Sequence, residues 1–300
     1  MTVVDFSCTH TWANENFHRV NDCLLPNWNL AEHALSLDPA STALLVPHAL
    51  YVFYEEVFPK PWRRAMIRVE SGECVQVRPG ASVAYENRAA PGDELVESAA
   101  RLRVYVWGRI GVQPERRSFV FIERIKIRRF AAGVRDTLRS QLHQDTDFVV
   151  YYGSESLADT VRLFSRASVV FQFHGAGATN MLWAPDGAAL IELTLLIDPE
   201  SARPWRGVGH LLVDAVPSMQ WFLHGIPLSQ GVDIGIIEKS IGVSPIPTAL
   251  FEDYRAADMF LQTEQQEITI PKADLTNLAW MANTLHANRA AVWKYGGPSR

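Results

Sequence analysis

Val169-Val170-Phe171-Gln172-Phe173-His174-Gly175-Ala176-Gly177-Ala178-Thr179-Asn180 turns a β-branched and aromatic run into a loop of small residues. The run predicts a strand over 169–173, and a short helix is expected around 180–183. Backbone N–H groups of the loop and of the helix start then gather at the carboxyl end of the strand. Such a place favours anions, phosphate above all, because orphan amides and the helix dipole both attract negative charge. His174 stands at its lip.

The flanking residues repeat the pattern. Ser118 to Ile122 reads as a buried strand, and Val134, Leu138 and Leu142 then recur at helical spacing. Phe148 to Tyr152 is a second apolar strand. Leu157, Val161 and Phe164 mark a second helix, with Ser154 or Ser156 as its N-cap. After the central strand come a turn at Pro185-Asp186-Gly187 and a fourth strand over 188–193. Strands alternating with helices predict an α/β fold whose parallel sheet is covered on both faces. Ligands of such sheets bind at the carboxyl ends of the strands, where His174 and Glu192 are both expected.

The residues before Ile110 are less regular. Leu44 to Val46 and Tyr51 to Tyr54 suggest a strand and a helix start, and Pro26 interrupts a partly helical 16–33. Gln113-Pro114-Glu115-Arg116 reads as a hinge, and Leu275, Leu278, Met281 and Leu285 form a helical stripe suited to core packing. The expected organisation is an N-terminal domain over 1–114, a second over 115–235, and a C-terminal helical segment over 236–300 that packs back on them.

Composition narrows the function classes. The 300 residues are 48% apolar and 20% charged, with a formal net charge of −5, which argues against binding nucleic acid through phosphate contacts. No apolar run approaches the ~20 residues of a membrane span, and the first residues lack the basic and apolar regions of a signal peptide. Cys8, Cys23 and Cys74 form no C-x-x-C pair, so a cysteine zinc site is not expected. One bridge, Cys8–Cys23 or Cys23–Cys74, and three free thiols both remain open. Nucleophile-elbow, Walker A and H-E-x-x-H patterns are absent from the sequence. Asp145-Thr146-Asp147 has the D-x-D form of a metal-bound nucleotide-sugar site, but it precedes a strand and falls at the wrong end of the sheet.

Four groups of residues could carry chemistry. Gly175-x-Gly177 partly matches the dinucleotide fingerprint, with Asn180 in the place of its third glycine, so an NAD-dependent oxidoreductase competes. Against it, the loop follows the third strand of its half, and a histidine precedes the first glycine. The plainer alternative is that the glycines only permit a tight turn. Arg124, Arg128 and Arg129 follow the first strand of this half and could clamp a phosphate, or form a solvated basic face. Glu192 could accept two ribose hydroxyls, or simply be solvated or paired. His18 and Asp22 stand four apart, which on a helix makes them a base and its partner, or a surface pair.

On these residues the chain resembles glycosyltransferase family 61. The resemblance lies in the helix and turn over 156–168, the strand ending in His174-Gly175-Ala176, Pro185-x-Gly187, and the strand closing in Glu192. Arg124 and Arg128 match an upstream arginine block. His18, Asp22, Leu24, Leu25 and Pro26 are similar to the His…Asp-x-Leu-Leu-Pro segment of the branch with protein O-mannose β-1,4-N-acetylglucosaminyltransferase. Glu123, where the family often has serine, and Thr160, where it often has glutamine, depart from the pattern. The resemblance implies a GT-B-type fold of two Rossmann-like domains with a cleft between them. It also implies an inverting transfer without an obligatory metal or other cofactor. A UDP-sugar is the donor, N-acetylglucosamine first and a pentose next, and a hydroxyl of a glycoprotein or glycan is the acceptor. Arg124, Arg128, His174, Gly175, Ala176, Gly177 and Glu192 would hold the donor, with His18 and Asp22 facing the acceptor. The implied compartment is the ER or Golgi lumen, and a non-catalytic relative that binds glycan or nucleotide is a further reading.

Overall fold

The computed structural model describes residues 2–6, 24–25, 28–70, 82–85, 92–125, 128–196, 215–233, 235 and 267–288. The chain divides into two compact units, one of 1–113 with 156–162 and 214–217, the other of 114–155, 163–213 and 218–300.

The first unit is built on four short parallel strands, β1 (Thr2–Asp5), β2 (Thr42–Pro47), β3 (Met66–Val69) and β4 (Ser82–Tyr85), in the order β3-β2-β1-β4. Helices α1 (Trp28–Leu35), α2 (His48–Val57), α3 (Lys60–Arg63) and α4 (Gly92–Ile110) accompany them. Leu44 to Val46 and Tyr51 to Tyr54 fall in β2 and α2, as their patterns predict. Aromatic rings fill this core: Phe6 stacks on Tyr54 at 4.7 Å, and Tyr54 meets Phe58 edge-on at 5.0 Å. Full burial pushes the Tyr54 hydroxyl far above its ordinary range, and that hydroxyl has no hydrogen-bond partner among the described residues.

The second unit holds five parallel strands in the order β10-β9-β8-β5-β7: β5 (Ser118–Ile122), β7 (Asp147–Tyr151), β8 (Ala167–Phe173), β9 (Ala189–Leu196) and β10 (Gln220–Pro227). A small pair, β6 (Arg129–Phe130) and β11 (Glu267–Ile268), stands apart from that sheet. The helices of this half are α5 (Val134–Gln141), the one-turn α7 (Leu228–Gly231) and α8 (Lys272–Ala287), while α6 (Leu157–Phe164), which follows β7 in sequence, belongs to the first unit over 157–162. Ser156 caps α6 by accepting the Asp159 N–H at 3.1 Å.

Period-two alternation separates the two faces of this sheet. Phe119, Phe121, Val169, Phe171, Phe173, Ile191 and Leu193 share one face, packed with Val134 and Leu138 of α5 and Leu275, Leu278 and Leu285 of α8. Met281 completes the expected stripe at the edge of that core. A register shift between Ser118 and Phe119 lets Ser168 bulge, and its hydroxyl lies 2.6 Å from Nδ1 of His286 on α8. Among the described residues, no helix is long and apolar enough to cross a membrane.

Two expectations need correction. The fourth strand runs to Leu196 rather than 193, because β10 pairs with it along all eight residues. The helix after the central strand is a 3₁₀ helix that begins at Ala176, not Asn180.

Candidate functional site

Successive side chains of a strand alternate between faces, and Gln172 of β8 pairs in register with Glu192 of β9. His174, two residues beyond Gln172, therefore projects to the same side as Glu192. Leu223 of β10 pairs with Glu192, so Trp221, two residues before it, shares that side too. The structure joins these three. Nδ1 of His174 lies 2.9 Å from Oε1 of Glu192, and the Trp221 indole N–H donates to Oε2 at 2.9 Å. An ionised Glu192 can only accept, and against it Nδ1 is the donor.

The main chain of the loop is held as closely. The His174 N–H donates to the Leu193 carbonyl at 2.8 Å, and the Arg128 guanidinium donates to the His174 carbonyl at 3.1 Å. The Gln172 amide donates to the Gly175 carbonyl at 3.2 Å. Gly175 has φ 153° and ψ 178°, a region essentially closed to other residues. A Cβ there would meet the Arg124 side chain, with Cζ at 2.7 Å, so the guanidinium lies directly over the glycine.

Arg128 is 8% exposed and adopts φ 56°, a left-handed conformation that costs on the order of 1–3 kcal/mol in a non-glycine residue. Glu123 donates its backbone N–H to Tyr151 and binds Arg135 through its carboxylate at 2.5 Å. The acid in the arginine block is thereby paired away from Arg124 and Arg128. Arg129 is not part of their cluster; it lies on β6 and meets Glu267 at 3.3 Å.

Ala176 and Gly177 open the 3₁₀ helix (Ala176–Trp183) and are partly exposed. A Cβ on Gly177 would approach Oε1 of Gln172 and Cγ2 of Ile122 at 3.1 Å. That Gln172 oxygen and Nδ2 of Asn180 are buried polar atoms with no hydrogen-bond partner among the described residues. The turn after the helix is fixed by Gly187 at φ 74° and by Ser218, whose hydroxyl donates to Asp186 at 2.7 Å.

The site predicted from sequence is brought together in this second unit for Arg124, Arg128, His174, Gly175, Ala176, Gly177 and Glu192. Glu192 differs from expectation in one respect. It is the fourth residue of β9, 0% exposed, with both oxygens engaged, rather than an open carboxylate at a strand end. Ribose hydroxyls could reach it only if the side chain moved. His18, Asp22, Pro26 and the three cysteines lie outside the described residues. Asp147 of the D-x-D pattern starts β7 and pairs with Arg166 at 3.0 Å. No group of three or more metal-ligating side chains occurs among the described residues. Sequence reasoning missed Trp221 and Gln172. Nothing local marks Trp221, since its link to Glu192 appears only once β10 pairs with β9.

A family model described as Glycosyltransferase 61 matches residues 18–191, more than half of the chain. A comparison with curated proteins found no match.

Proposed function

The chain belongs to glycosyltransferase family 61 and is a glycosyltransferase; from that premise we propose that it moves a sugar, N-acetylglucosamine first among the candidates, from a UDP-sugar to a hydroxyl of a glycoprotein or glycan. The nicotinamide reading of Gly175-x-Gly177 falls with the family assignment. The carrying observation is that Arg124 and Arg128, from the loop after β5, both close on His174-Gly175, the loop after β8.

The chemistry explains why such a cluster suits the reaction. The acceptor oxygen forms a bond to the anomeric carbon while the bond from that carbon to the diphosphate breaks. The sugar centre inverts, UDP leaves with the electron pair, and the acceptor proton goes to a base. Charge develops on the leaving diphosphate, where guanidinium groups and loop amides stabilise it without a metal. In this reading the protein has a GT-B-type arrangement, with 115–235 as donor domain, 1–114 as acceptor domain and 236–300 as a C-terminal segment. His18 or Asp22 then supplies the base on the acceptor side.

Thermal shift with UDP, UDP-N-acetylglucosamine, UDP-xylose and NAD tests the donor. Binding at one hundred times the dissociation constant adds ~2.7 kcal/mol of stability. UDP and one UDP-sugar should raise the melting temperature, and Arg128→Ala should remove most of that rise. Stabilisation by NAD alone, or an undiminished UDP shift in Arg128→Ala, would overturn the assignment. Turnover that survives both His18→Ala and Asp22→Ala would remove those two from the reaction.

A further inference from the structure

A carboxylate inside a sheet is costly unless both oxygens find donors, and a buried ion pair is often no more stable than apolar residues of the same size. Stability is therefore a weak reason for Glu192, which has Ile191 and Leu193 as its buried neighbours in β9. Its two oxygens are divided between His174 and Trp221. We infer that Glu192 and Trp221 are positioning residues for His174: the indole N–H holds the carboxylate, and the carboxylate holds Nδ1–H and fixes the plane of the imidazole.

Three observations carry this further. Because Nδ1 is committed to Glu192, a hydrogen bond from the His174 ring to a substrate would run through Nε2. The backbone of the same residue is pinned on both sides, its N–H by Leu193 and its carbonyl by Arg128. Ring, loop backbone and arginine thus form one network beside the place where the donor diphosphate is proposed to lie. Trp221 falls beyond the matched residues 18–191. The role of Nε2 toward the donor rests on the proposed function; the proton on Nδ1 does not.

The test uses the full chain labelled with ¹⁵N-histidine, His174 being assigned by its absence from His174→Asn. The wild-type protein should show the proton on Nδ1. Trp221→Phe should move both ring-nitrogen signals of His174 and slow release of UDP from UDP-N-acetylglucosamine on the order of tenfold, the scale for losing a group that orients a functional histidine. Calorimetry should find its affinity for UDP itself within about threefold of wild type, since the arginines and loop amides remain. Glu192→Gln keeps one acceptor but cannot serve both donors, and should show a larger loss. A wild-type proton on Nε2, or unchanged His174 signals and unchanged turnover in Trp221→Phe, would overturn the inference. If the wild-type protein binds neither UDP nor the UDP-sugar, the donor assignment fails, and the nitrogen signals alone decide the positioning role.

Discussion

Gly175 and Gly177 sit two residues apart in one loop, yet the structure asks different things of them. At Gly175 the backbone needs φ 153°, and a Cβ would overlap the Arg124 guanidinium. At Gly177 the nearest atoms to a Cβ stand at 3.1 Å, a crowding that a small shift relieves. Gly175→Ala should therefore cost on the order of 1–3 kcal/mol and weaken UDP binding, whereas Gly177→Ala should do markedly less of both. Chemical denaturation and calorimetry check the pair, and equal losses would mean that the Gly175 conformation is not required. Tyr54 gives the opposite case. Its buried hydroxyl has no partner among the described residues, so Tyr54→Phe should leave stability unchanged or raise it by about 1 kcal/mol. Single residues of this kind were only half legible in the sequence. His174 and Gly175 announce a site, but the sequence offers Glu192 as a ribose ligand or a solvated or paired carboxylate, and its actual partners, His174 and Trp221, come from outside its own strand.

Elements of the second unit were the most legible part of the chain. β5 and β8 are buried along their whole length, and such strands appear in sequence as continuous apolar runs. β10 carries Gln220, Trp221 and His224 with mostly intermediate burial, so its pattern did not stand out. The strands β1, β3 and β4 have four residues each, too few for periodicity to be read. Helix α8 shows how an apolar stripe becomes specific. Asn283 accepts the His143 N–H at 3.0 Å and donates to the Gln141 carbonyl at 3.1 Å, closing the end of α5. His286 stands between Thr146 at 3.2 Å and Ser168 at 2.6 Å. Asn283→Ala should cost about 1–2 kcal/mol in denaturant unfolding, because it leaves a helix terminus and a backbone amide without partners. A cost near zero would show that water replaces the asparagine.

The whole molecule consists of two units, each with its own parallel sheet and its own buried core. Hydrogen exchange can therefore ask which of them takes the nucleotide. Saturating UDP should slow exchange at 174–183 and leave the amides of β1 and β2 near their unliganded rates. Protection confined to β1 and β2 would move the donor to the other unit. The second core also has a consequence for synthesis. α8 supplies Leu275, Leu278 and Leu285 to the same cluster as β5 and β8. About 90 residues separate the end of β9 from the end of α8. A ribosome needs roughly 5–20 s to add them. Until then the face bearing Phe119, Phe171 and Ile191 has α5 but not α8 to cover it, so translation speed over this stretch should set how long that apolar face stays incomplete.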